Sequence, residues 1–162
     1  QVEIAWPCIK LAERISSDGF KVVLSGEGSD ELWASYGMSY HGIKDHGWDD
    51  YRLNLFGSQE KKNFARCNKI FMKYGVESRL PFLNTELVET ALGMEQDIVW
   101  DTKRRPKAVL QDSYVNLLPD EIIKRPKMAF QDGMDIKKQF ELVLDSSPKK
   151  CYSEIYKNTF GV

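Results

Sequence analysis

One short apolar run, Val22-Val23-Leu24, constrains the fold more than any other stretch of this chain. It leads directly into Ser25-Gly26-Glu27-Gly28-Ser29-Asp30-Glu31-Leu32-Trp33, which reads as a strand, a glycine loop and the start of a helix. A compact run of this kind predicts a short strand buried on both faces. Such a strand must place its backbone N–H and C=O groups on neighbours. The rest of the chain offers no second run of similar quality. Either the strand pairs weakly with a local segment, or its partners lie on another polypeptide. The expected fold is therefore mainly α, with one or two short strands.

The helical segments follow from apolar spacing and stop signals. Residues 3–17 carry Ile4, Cys8, Leu11, Ala12 and Ile15 on one face. Pro7 there predicts a helix that begins near it, and Asp18-Gly19 ends it. Ser29-Asp30-Glu31 open a helix to about Tyr36, Ser29 as cap and the acids against the positive helix end. Residues 37–57, rich in Gly, His, Asp and aromatics, read as an irregular connection, with His41 and His46 as surface loop residues. A helix follows over 58–73, with Phe64, Cys67, Asn68 and Phe71 roughly on one side, and 75–81 break it. Asn84-Thr85-Glu86 cap a helix over 87–92. Ala108, Leu110, Tyr114, Val115 and Leu118 are the core candidates of a helix over 107–118, stopped by Pro119. Arg125-Pro126-Lys127 falls in a loop. Residues 136–144 are helical again, and Ser146-Ser147-Pro148 breaks that helix.

Charge and cysteines narrow the function classes. At 162 residues and a net charge of -1, the chain reads as one domain without bulk attraction for nucleic acid or anionic membrane. No apolar run approaches the ~20 residues of a membrane span. Cys8, Cys67 and Cys151 are too far apart for a CxxC pair, and their sparse, odd count fits a reducing cytoplasm.

The glycine loop poses a chemical problem. Gly26 and Gly28 let backbone amides approach a ligand, and a helix N-terminus aimed at the same place favours an anion. Yet Glu27, Asp30 and Glu31 would repel one. A divalent metal reconciles the two, because magnesium is held by one or two carboxylates together with phosphate oxygens. Asp30 is then the metal candidate, and Glu27 faces the reacting end. Ordinary helix capping by Ser29, Asp30 and Glu31 accounts for the same residues without a ligand.

Positive charge must come from elsewhere in the chain. Lys103-Arg104-Arg105 and Lys107 stand at a helix start, where cations are unfavourable unless they face an anion. Lys124-Arg125-Pro126-Lys127 precedes Met128-Ala129-Phe130, so Pro126 stiffens the loop and Phe130 anchors it in the core. A lysine held in that way can stabilise charge developing on a phosphoryl or tetrahedral centre. Lys69, within the helix over 58–73, is a lesser candidate.

Three segments in order carry a family resemblance. LSGEGSDELWASYG resembles the LSGEGSDE-plus-GGY segment of glutamine-dependent asparagine synthetases. RCNKIFMKYGVESRLPFLNTELVETAL resembles their ANK…GVEARVPFLD segment, and KAVLQDSYVNLLPDEIIKRPKMAFQDG their K-x-x-L-R…LP…R-x-K-x-x-F-x-x-G segment. Together they cover about residues 4–135. The resemblance implies the helical C-terminal portion of an adenine-nucleotide α-hydrolase-like α/β domain. It also implies ATP and Mg²⁺ as cofactors, a β-aspartyl-adenylate intermediate, and ammonia derived from glutamine as the attacking amine. Carried over, Ser25, Gly26 and Gly28 would touch the nucleotide, and Lys107 a phosphate. Asp30 would bind the magnesium pyrophosphate, Glu27 would assist formation or breakdown of the adenylate, and Lys127 would stabilise negative charge.

Two departures stand out: the GGY part reads Ala34-Ser35-Tyr36, and the PFLD part ends in Asn84. The first should stiffen a turn and the second alter a cap. No S-G-G-x-D-S loop, the family's other ATP element, and no N-terminal glutaminase cysteine occur in these residues. The chain thus reads as a partial synthetase domain whose ATP site is completed by an upstream polypeptide. Homo-oligomers are expected from the unpaired strand edge. A related ligase acting on another carboxylic acid, or an idle helical interaction domain, are the other readings.

Overall fold

The computed structural model describes residues 2–100, 105, 107–136 and the separate positions 138, 150, 153, 154, 157, 158 and 161. Lys103, Arg104 and Cys151, most of the expected helix over 136–144 and its break at 146–148 lie outside the described residues. Helices dominate, as the sequence predicts. They are α1 (Val2–Ser17), α2 (Ser29–Leu32), α3 (Ser39–His46), α4 (Trp48–Ser58), α5 (Ala65–Lys73), α6 (Thr85–Leu92), α7 (Gln96–Val99), α8 (Ala108–Ser113), α9 (Asp120–Ile123) and α10 (Phe130–Gly133). A π-helical turn, Glu60–Phe64, joins α4 to α5, and a 3-10 turn, Pro81–Leu83, precedes α6. Among the described residues no helix is long and apolar enough to cross a membrane.

The strand question resolves locally. β1 (Val22–Leu24) pairs in parallel with β2 (Glu77–Arg79), in the register Val22↔Glu77, Val23↔Ser78, Leu24↔Arg79. Glu-Ser-Arg lacks the β-branched and aromatic residues that mark strands. Its side chains thus predict only a helix break, whereas ladder pairing is made by backbone atoms. The expectation of burial on both faces fails: Val22 is 42% and Leu24 71% exposed. Val23 alone turns inward, onto a core cluster of Ala12, Cys67, Phe71 and Val76.

Residues 37–57, expected to be irregular, instead hold α3 and α4 around Gly47. His41 and His46 therefore lie on a helix rather than a loop. Gly42 permits this pairing, because a Cβ there would run into the Tyr51 ring. The polar composition of α4 conceals its anchor. Arg52 is 0% exposed and donates to the carbonyls of Leu32 (2.8 Å), Leu92 (3.4 Å), Met94 (3.0 Å) and Ala91. The Leu32, Ala91 and Leu92 carbonyls lie at the ends of α2 and α6, where backbone acceptors lack the next-turn amide, and Met94 lies just beyond α6. The guanidinium also stacks 4.4 Å from the Trp48 ring, and burial lowers its pKa to about 10.

Smaller corrections have local causes. α1 starts well before Pro7, so the proline lies inside the helix. α8 stops at Ser113, and a turn containing Asn116 at φ 68° follows. Tyr114, Val115 and Leu118 are consequently exposed rather than core. Asn84 caps α6 by accepting from the Leu87 amide at 3.2 Å, so the amide in place of a carboxylate preserves the cap. Ala34, which replaces a family glycine, is buried at φ 48°.

The glycine loop bridges two packed regions. Val23 at its entrance rests on the cluster under α1 and α5. Leu32, Trp33 and Ala34 beyond it join a second cluster with Ile43, Ala91, Val99 and Trp100. This double anchorage gives a four-residue helix a fixed position.

Candidate active site

The loop itself is built by two glycines with different tasks. Gly28 has φ 94°, and a Cβ there would collide with Leu83. Gly28, rather than Ser29, is the N-cap of α2. Gly26 has no positive φ, and a Cβ at it would meet nothing within 4 Å. It thus leaves open space at the mouth of the loop. The Ser25 amide donates to Arg79 O at 3.0 Å, and its hydroxyl accepts from the Glu27 amide at 3.4 Å.

Asp30 collects the two lysines singled out in the sequence. Lys127 Nζ donates to Asp30 Oδ2 at 2.6 Å, and Lys107 Nζ lies 2.8 Å from Oδ1. Lys107 also donates to Ser29 Oγ at 3.0 Å, and the Ser35 hydroxyl donates to Asp30 Oδ1. Burial pushes the Asp30 carboxyl up, but the bonds from Lys107, Lys127 and Ser35 outweigh it and hold the group below the usual carboxylate range. Lys107 reaches this place from a left-handed backbone, φ 63° at the N-cap of α8. A non-glycine residue held there carries of order 1–3 kcal/mol of strain.

Glu27 faces a different set of groups. Its Oε1 pairs with Arg66 Nη2 of α5 at 3.4 Å, and Arg66 Nη1 donates to Asn63 Oδ1 at 3.0 Å. Behind it, Glu31 is buried and accepts from the Tyr36 hydroxyl at 2.6 Å. Burial raises the Glu27 pKa, Arg66 opposes that rise, and Glu31 and Asp30 add to it. Two neighbouring carboxylates are thereby driven in opposite directions, Glu27 up and Asp30 down.

A cleft of about 790 Å³ opens beside Asp30. Its wall carries Arg105, Lys107, Lys124, Arg125 and Lys127, with Met128, Ala129 and Phe130 alongside. Phe130, expected to anchor the loop in the core, is 46% exposed and begins α10 at the edge of this cleft. Lys69 is exposed on α5. Asp30, Lys107 and Lys127 thus come together, with Ser25, Gly26, Gly28 and Glu27 on the adjoining loop. Arg66 and Asn63 are the residues of this site that the sequence does not announce. Arg66 adjoins the Cys67-Asn68-Lys69 part of a motif, but its partner lies 39 positions away, beyond any helical periodicity.

Known sequences place this arrangement in a family. The sequence model described as asparagine synthase matches residues 2–62 and 53–147. Glutamine-hydrolyzing asparagine synthetase 2 of Lotus japonicus is 31% identical over 135 residues, covering 79% of this chain and 23% of its own length. The asparagine synthetase of Brassica oleracea is 29% identical over 140 residues, and asparagine synthetase B of Escherichia coli 28% over 134. Each covers 82% of this chain and 24% of its own length. The chain therefore spans about a quarter of the curated relatives it matches. On the strength of the family match over most of its length, this chain belongs to the asparagine synthase family.

Proposed function

We propose that this chain carries part of an ATP- and magnesium-dependent amide-forming site that activates aspartate and passes it to ammonia. The observation that carries the reading is the convergence of Lys107 and Lys127, two cations of the cleft wall, on Asp30, with Glu27 on the adjoining loop. In the first step a carboxylate oxygen attacks the α-phosphorus, and pyrophosphate leaves. In the second, ammonia attacks the acyl carbon, and AMP leaves as the C–N bond forms. Phosphoryl transfer asks a protein for positioning and charge stabilisation. Lys127 and Lys107 supply the charge for the departing phosphates. Glu27, with its raised pKa, takes the proton that the attacking nitrogen gives up. Ser25 and Gly26 line the loop that the nucleotide approaches.

The donor set fits magnesium on one condition. Asp30 offers a single carboxylate already faced by two ammoniums, while Glu27 is ion-paired and Glu31 is buried on Tyr36. Magnesium takes one or two carboxylates with phosphate oxygens. These residues therefore suit a metal that arrives on a polyphosphate, whose own oxygens draw the lysines away from Asp30. When bound, the ion would neutralise charge on the leaving pyrophosphate. The rest of the nucleotide site and the glutaminase would be supplied by sequence outside these residues, in the same polypeptide or another, and the sparse cysteines fit a cytoplasmic setting.

Aspartate-dependent ATP–pyrophosphate exchange tests this reading. We expect exchange when the chain is combined with the polypeptide bearing the S-G-G-x-D-S loop, and its loss in Lys127→Ala. Exchange with another carboxylic acid in place of aspartate would keep the chemistry and change the substrate. Silence with every acid tried, in a mixture that associates, would refute the reading.

A further inference from the structure

We propose that Arg66 is a positioning residue for Glu27, aiming its carboxylate and keeping it anionic through an ion pair that Asn63 holds in place. The proposal deepens the reading of Glu27 as proton acceptor and rests on it. Arg66 uses two nitrogens for two tasks: Nη2 meets Glu27 Oε1 at 3.4 Å, and Nη1 donates to Asn63 Oδ1 at 3.0 Å. The Asn63 amide in turn reaches Glu31 Oε1 at 3.5 Å and the Tyr36 oxygen at 3.4 Å. The π-helical turn Glu60–Phe64 carries Asn63, and α5 carries Arg66. Both sit on one continuous helical stretch, while Glu27, Glu31 and Tyr36 sit on and around α2.

The pair is shielded enough to act. Its side chains are 14% exposed for Arg66 and 27% for Glu27. The other titratable groups facing Glu27 are Glu31 and Asp30, on α2, and the Cys8 thiol of α1. Burial and both carboxylates push Glu27 towards its neutral form. Among these groups Arg66 is the cation that opposes them, and the neutral acid cannot accept a proton from an attacking amine.

The test uses the complete enzyme and follows amide formation against pH for Arg66→Gln, Arg66→Lys and Asn63→Ala. Arg79→Gln, which removes an exposed pair with Glu77, is the control. Arg66→Gln should cost about tenfold or more in rate at neutral pH, and should move the acid limb of the profile to higher pH. Arg66→Lys, which keeps the charge, should fall between it and the parent. An Arg66→Gln profile whose acid limb stays where the parent's is overturns the proposal, whether the rate is unchanged or falls together with thermal stability. If the parent enzyme forms no amide, the functional reading fails on its own. The proposal is then decided by titrating ¹³C-labelled glutamate carboxyls, with Glu27→Gln assigning the signal. A Glu27 midpoint raised by Arg66→Gln upholds the coupling, and an unmoved one ends it.

Discussion

Asp30 and the two loop glycines show how residues of one motif carry different loads. Asp30 has its carboxyl held below the usual range by Lys107, Lys127 and Ser35, against the pull of burial. A depressed folded pKa means that its contribution is present above the unfolded value near 3.9 and disappears as pH falls through the folded one. Asp30→Asn should therefore cost about 2 kcal/mol at neutral pH, with Lys127 contributing less because it is more exposed. Melting curves of the two proteins should converge in acid; a gap that persists there would show that the loss is steric. The glycines make a sharper contrast. Gly28→Ala forces a side chain into positive φ and into Leu83, costing about 2 kcal/mol. Gly26→Ala meets nothing and should leave stability within about 0.5 kcal/mol of the parent, while weakening nucleotide binding. Equal losses in thermal melting would contradict that division. The meeting of Asp30 with Lys107 and Lys127 was legible in the sequence because each lies in one of the three segments that resemble the family, while their roles belong to the proposed function. Arg66 was not, because a pair spanning 39 positions leaves no local periodic trace.

Among the elements, the least legible were those whose stability comes from a single buried polar group. α4 has no apolar stripe, so a periodicity argument passes over it. Its role rests on Arg52, whose guanidinium binds the carbonyl ends of α2 and α6 together. β2 was missed for a related reason: Glu77-Ser78-Arg79 pairs through its backbone and offers no side-chain signal. α6, by contrast, was readable to within two residues, because Asn84 caps it as its type prefers. Arg52→Met keeps much of the volume but strands the Leu32 carbonyl and removes a donor from Ala91 and Met94, whose oxygens keep the Met94 amide and Trp48 Nε1. The expected loss is about 3 kcal/mol, or roughly 6–12 °C in melting temperature for a chain of this size. Because α2 is anchored through Leu32, near-ultraviolet signals from Trp33 and Trp48 should change as well. A stability within experimental error of the parent would show that the carbonyls are satisfied some other way.

At the scale of the whole molecule, the two-stranded parallel sheet is the feature in most tension with its own physics. Parallel strands are normally covered on both faces, and two strands alone are marginal. Here Leu24 is 71% exposed and Val22 also faces outward. The backbone of Lys21 and Ser25 turns towards β2, since Lys21 O accepts from the Glu77 amide and the Ser25 amide donates to Arg79 O. By the two-residue period of a strand, the amides of Val22 and Leu24 point away from β2. An open edge and an exposed apolar side chain on the same strand are what the remaining part of the synthetase domain, added as a separate polypeptide, would cover. Amide exchange at Val22 and Leu24 should therefore be fast in the chain alone and slow once that polypeptide is added, while the Ser25 amide changes little. Burying Leu24 there is worth about 1.5–3 kcal/mol, so Leu24→Asp should weaken association by about tenfold or more without lowering the stability of the chain by itself. If the two amides exchange at one rate with and without the added polypeptide, and Leu24→Asp leaves association untouched, β1 is a true sheet edge and the missing part of the nucleotide site must dock elsewhere.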